Sequence, residues 1–239
     1  MILEIKKLAR TGFVPCLLCA ALLAAAFPAV NMAARSENYL GLPGSPLNIL
    51  LDANWQLMAM VNLFAALLGA CILYHIEYSG KAMQKMDTLP IRPGSLFLHK
   101  FAVLAASGAV AVILEIAALY GCCRYWFADR PVQMEALLRT AGALYLQLLP
   151  SQMLLLALSS LCRNMWVSLG IGVILIFLAT ILPLNGPVLS LLPFAAPFET
   201  GLSGLSGSEA VKSIGFLGVQ LLLFALIGLI FQRFRRCIG

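Results

Sequence analysis

Glu115 is the one acidic residue set well inside an apolar run, AVILEIAAL. A carboxylate at bilayer depth is costly unless it faces protein or water. Its chemistry is therefore a polar contact along a translocation path or an interhelical hydrogen bond, for which Gln147, Ser151 and Gln152 offer partners. The second chemistry-bearing stretch is residues 75–100, HIEYSGKAMQKMDTLPIRPGSLFLHK, the longest polar interruption of the chain. Its first half has the pattern of a short amphipathic helix: Ile76, Met83, Met86 and Leu89 fall near one face, and Glu77, Lys81, Gln84 and Lys85 toward the other. Glu77 and Lys81 have the i,i+4 spacing of a favourable pair. Pro90 stops such a helix, Pro93 and Gly94 make a turn, and Ser95 is placed to cap the next helix.

Nucleophilic and metal chemistry find little support elsewhere. The G-x-S-G patterns at residues 201–204 and 204–207 need a base on a neighbouring helix. The two histidines, His75 and His99, flank the polar loop instead, so a Gly/Ser linker is the better reading. His75 and Glu77 do not make the H-E-x-x-H pattern of a zinc helix, and G-x-x-x-x-G-K-[ST] for phosphate binding occurs nowhere. Cys16 and Cys19 are spaced C-x-x-C, but within an apolar run lacking basic neighbours to activate a thiolate. The seven cysteines read as small packing residues. No bound metal or cofactor is expected.

The elements that carry these groups are membrane helices. Hydrophobic residues make up 62% of the 239, charged residues 11%, and the mean hydropathy is +0.95. Soluble domains carry about a quarter charged residues, so the fold class is an all-α integral membrane protein in a single transmembrane domain, residues 1–239. Strand-type alternation is absent, which argues against a barrel. The net charge of +6 comes from basic residues at span ends, so nucleic acid is not the partner it suggests.

Glu77, Gly80 and Lys81, followed by Leu89-Pro90-Ile91-Arg92 and Lys100, resemble the first cytoplasmic loop of type-2 ABC-transporter permeases. The family pattern is a Glu, a short helix, a Leu-Pro-Ile/Val turn and a Lys entering the third span. The resemblance implies that residues 76–95 form a coupling helix against an ATPase, with Glu77, Lys81, Met83, Met86, Leu89, Pro90 and Arg92 as its contact residues. It also implies that Mg-ATP is used by separate partner chains, two per transporter. Six spans are half of a pathway, so a second permease, identical or related, is the other expected partner, alongside membrane lipid.

Apolar runs place six transmembrane helices at about 11–34, 53–74, 97–123, 137–161, 166–184 and 213–232. Pro15, Pro28 and Pro150 should bend their helices, and Tyr125 and Trp126 suit an interfacial anchor. Residues 1–10 read as an interfacial helix rather than a signal peptide, because the apolar run that follows is too long and lacks a small-residue cleavage site. Residues 185–212 hold an apolar stretch too short to cross, broken by Pro187, Pro193 and Pro197, and read as an outer re-entrant hairpin between spans five and six. The resembled family places such helices there. With both termini inside, Lys6, Lys7, Arg10, Lys81, Lys85, Arg92, Lys100, Arg163, Arg233, Arg235 and Arg236 lie on the inner side; Arg35, Arg124, Arg130, Arg139 and Lys212 lie outside. That bias favours cytoplasmic termini in a bacterial plasma membrane.

The expected function is the permease half of an ABC exporter for an amphipathic substrate. Among type-2 permeases, a chain this compact most resembles the lantibiotic-immunity and peptide-resistance branch. Two alternatives stand beside it: export of another lipid or drug-like substrate, and a non-transporting subunit that uses the same loop for docking.

Overall fold

The computed structural model describes residues 11–78, 93–162, 164–181, 193–198 and 207–238. Among them there is no strand, and six helices carry the fold: α1 (Phe13–Leu40), α2 (Pro46–Tyr78), α3 (Pro93–Trp126), α4 (Met134–Leu161), α5 (Met165–Ile181) and α6 (Gly207–Ile238). A 3-10 turn, Ala196–Phe198, lies between α5 and α6. Five of the helices are long and apolar enough to cross a membrane. The described part of α5 has 17 residues, about 25 Å at 1.5 Å per residue, against a hydrocarbon core of about 30 Å.

Helix ends follow from local chemistry. Ser45 precedes Pro46, the first residue of α2, and its Oγ accepts the Asn48 backbone N–H at 3.3 Å, while proline at the first position forfeits no helical bond. Asn164 caps α5 in the same way, its Oδ1 accepting the Trp166 backbone N–H at 3.0 Å. The turn between α1 and α2 uses Gly44 at φ 127°, a region open to glycine.

The helices are longer than their apolar cores. The second runs from Pro46, not residue 53, and continues to Tyr78. The third begins at Pro93, so Ser95 lies within its first turn rather than capping it, with Oγ 3.4 Å from His99 Nδ1. Helix α6 begins at Gly207, so residues 207–212 of the stretch read as re-entrant are helical. The residue that leaves helical dihedrals inside α1 is Arg35 (φ −143°, ψ 35°), not a proline. Pro15 sits in the first turn of α1, where a missing N–H breaks no helical bond.

Helix α2 is the centre of the bundle: it packs against α1, α3, α4, α5 and the 3-10 turn, and is the most buried of the spanning helices. Two cores form along it. Met32, Leu47, Leu50, Trp55 and Met58 meet Leu119, Cys123, Phe127 and Leu144 around its first half. Leu63, Leu67, Ala70 and Leu73 meet Phe97, Leu104, Leu155, Leu156 and Ile176 around its second. Lipid tails are as apolar as leucine, so close approach rather than water exclusion holds such helices together. Glycines provide it: a Cβ at Gly172 would lie 2.3 Å from Leu67 Cδ1, and one at Gly228 2.5 Å from Phe97 Cζ.

Candidate functional site

Two polar assemblies interrupt this apolar packing. The first stands where the polar loop of residues 79–92 leaves α2 and enters α3. Because α2 stays helical to Tyr78, residues 66, 70, 73, 74 and 77 share one buried stripe. Glu77 therefore sits inside the bundle, 5% exposed, rather than on a solvated face toward Lys81. Its partner is Lys100, 2% exposed, whose Nζ lies 2.9 Å from Glu77 Oε1. The same Nζ donates to the Leu73 carbonyl at 2.8 Å and stands 5.2 Å from the centre of the Tyr74 ring.

Neighbouring helices are tied to this pair. Gln232 of α6 donates through Nε2 to the Tyr74 hydroxyl at 3.3 Å, and the Tyr78 hydroxyl donates to the Ser160 carbonyl of α4 at 2.7 Å. Four helices thus meet at the roots of one loop. The remaining contact residues expected from the sequence, Lys81, Met83, Met86, Leu89, Pro90 and Arg92, lie outside the described residues, as do residues 1–10, most of the 76–95 loop and most of residues 185–206.

The second assembly lies mid-bundle. Asn62 of α2 donates through Nδ2 to Glu115 Oε1 of α3 at 2.8 Å. Glu115 is thus bonded across helices, but to an amide of α2 and not to Gln147, Ser151 or Gln152 of α4. Gln147, Ser151 and Gln152 are nonetheless all buried. Ser151 Oγ donates to the Pro193 carbonyl at 2.6 Å, which anchors the described 193–198 segment against α4. Phe194 and Ala195 of that segment are buried in the bundle. Gln152 crosses over α3 at Gly108, where a Cβ would lie 2.3 Å from its Nε2. Lower on α2, Cys71 Sγ is 3.6 Å from both Ser159 Oγ and Ser168 Oγ, and those hydroxyls are 3.1 Å apart.

Sequence reasoning missed Asn62 and the joining of Glu77 to Lys100. Both had a visible cue. Asn62 is the lone amide in MAMVNLFAALLGA, the counterpart of Glu115 in its own run. Lys100 follows the loop as an isolated cation at the start of an apolar span.

Nothing in these assemblies pairs a nucleophile with a base, and among the described residues no cluster of three or more His, Cys, Asp or Glu could hold a metal. The arrangement is that of a membrane bundle in which the end of α2 and the start of α3 are pinned together. The family model described as "ABC-2 family transporter protein" matches residues 1–179, which take in α1 to α4 and nearly all of α5.

The chain belongs to the ABC-2 transporter family.

An ABC-2 protein of this kind is the membrane permease subunit of an ABC transporter, and the family implies an ABC ATPase as its partner. No curated protein and no solved structure matches the chain.

Proposed function

We propose that this ABC-2 permease exports an amphipathic substrate, with residues 79–92 as the coupling element through which a separate ATPase drives it. The Glu77–Lys100 pair carries this reading. A loop that transmits force needs ends that do not slip, and these two ends are joined by a buried ion pair at 2.9 Å. Through Tyr74 and Tyr78 the pair also reaches α4 and α6, so displacement at the loop would move four helices together.

The functional unit on this reading is two permeases, identical or related, above two Mg-ATP-using subunits. On this reading each permease has six spans, α5 among them, in a bacterial plasma membrane with both termini inside. The basic residues at the loop and at the C-terminus support that orientation. The substrate class that suits a lateral apolar path is a cationic, membrane-active peptide of the lantibiotic type, which makes the transporter an immunity or resistance device.

The test is the loop itself. Met83→Asp with Met86→Asp would press carboxylates into an ATPase groove, while the spans stay intact. At matched membrane abundance the ATPase should cease to co-purify and resistance to the peptide should fall. Undiminished recovery with full resistance would refute the coupling role.

A further inference from the structure

We propose that Glu115, Asn62 and Gln152 form a binding site for a primary ammonium group, an assignment that rests on the exporter reading and gives its substrate a chemical handle. The site is built from three helices. Glu115 is fully buried on α3, with Oε1 bonded to Asn62 and Oε2 taking no hydrogen bond. Gln152 on α4 is 2% exposed, and its Oε1 also accepts nothing. Among the described residues the ion pairs are Glu77 with Lys100 and Glu135 with Arg139, so neither acceptor faces a lysine or arginine.

Beside Asn62 and Gln152 is a cavity of about 20 Å³, lined also by Leu17, Ala66, Gly108 and Leu148, with Ala111 on its wall. Asn62 belongs to both features: it lines the cavity and donates to Glu115. Gly108, Ala111 and Glu115 follow one stripe of α3 at helical spacing, so the carboxyl stands one turn beyond the cavity wall. A volume of this size admits one water-sized group.

The chemistry specifies the ligand. Two buried acceptor oxygens, one of them on a carboxyl group, are complemented by a group that brings N–H donors and positive charge. An ammonium carries three donors at about the size of a water molecule. A guanidinium is a broad planar fork, and a trimethylammonium has no donor at all. The site should therefore prefer a lysine-type or ethanolamine-type nitrogen over an arginine-type or choline-type one. Gly108 is part of the design, because a side chain there would displace Gln152.

Two sources share this nitrogen chemistry: the lysine side chain of an amphipathic peptide, and the headgroup of phosphatidylethanolamine. The experiment uses the full-length permease in phosphatidylcholine nanodiscs with radiolabelled dodecylammonium as probe and dodecyltrimethylammonium as the same-chain control. Saturable binding of the primary ammonium, tighter than the quaternary one by about tenfold or more, is the expected result. Glu115→Gln should remove that preference while keeping the side-chain shape. If Glu115→Gln does not accumulate, Gln152→Met tests the same site, with a loss of about tenfold expected. Displacement by a lysine-bearing amphipathic peptide, but not by its trimethyl-lysine form, assigns the nitrogen to a peptide. Displacement by phosphatidylethanolamine assigns it to lipid. Equal binding of the two amphiphiles, unchanged binding in both variants, or displacement by neither source would overturn the assignment. Binding is read on the permease alone, so it can fail while the ATPase still co-purifies, and the coupling role can fail while binding holds.

Discussion

Lys100 Nζ lies 2.9 Å from Glu77 Oε1, with both side chains almost wholly removed from solvent. The two residues are on different helices and bracket the polar loop, so their pairing closes the loop at its base. Leaving one partner of a buried pair uncompensated typically costs about 3–5 kcal/mol, whereas replacing both with apolar residues is often neutral. Lys100→Met and Glu77→Leu should each lower the thermal midpoint and the folded yield of the purified permease. The double variant should recover most of that stability. If coupling also depends on the pair, the double variant should fold, retain the ATPase, and export poorly. Full export by the double variant would reduce the pair to a packing device.

The existence of the helices was legible from apolar runs and punctuation. Their lengths were not, because polar residues remain helical when partners are within reach: Lys100 of α3 for Glu77, and His99 one turn along the same helix for Ser95. Glu77 read as solvated because periodicity within 75–100 took no account of Lys100 on another helix. Glu115 was legible as an anomaly, and its need for an interhelical partner was too. Which partner was not: choosing Asn62 over Gln147 or Gln152 depends on the rotation of α2 against α3, and residue spacing along one helix carries no information about that.

Gly172 gives a second prediction. A Cβ there would lie 2.3 Å from Leu67 Cδ1 and 2.8 Å from Cδ2, so Gly172→Ala forces α5 away from α2 or drives Leu67 from its rotamer. Overpacking of this kind costs about 1–3 kcal/mol. Leu67→Ala alone should also destabilise, since Leu67 is 1% exposed and leaves a cavity. The pair Gly172→Ala with Leu67→Val should lie above Gly172→Ala in thermal midpoint. Additive loss in the double variant would show that the two positions do not meet.

The charge bias predicts an orientation that chemical labelling can test. In a background without native cysteines, Asp129→Cys in the exposed turn after α3 should react with an impermeant thiol reagent in intact cells. Ser79→Cys and Arg233→Cys should react only after the membrane is opened. The reverse pattern would place the braced loop outside and remove the ATPase from its reach.

The Ser151 hydroxyl donates to the Pro193 carbonyl at 2.6 Å within a buried site, a bond that ties α4 to the short segment ending in the 3-10 turn. Phe194, Ala195 and Ala196 are buried around it, so the segment fills part of the bundle rather than lying over its surface. Ser151→Ala removes the donor and leaves a buried carbonyl with nothing to accept, a loss of about 1–3 kcal/mol. Ser151→Thr retains a hydroxyl but adds a methyl group where Ser151 is wholly buried, so it should be intermediate. The readout that isolates the segment is the reactivity of Phe198→Cys, half-buried at the end of the turn, toward a small thiol reagent in nanodiscs. With Ser151 present, labelling should be slow; with Ser151→Ala it should accelerate while far-ultraviolet circular dichroism stays unchanged. Equal labelling rates with a lowered thermal midpoint would mean that the bond stabilises α4 without holding the segment in place. Unchanged rate and midpoint together would mean that burial of Phe194 alone secures it.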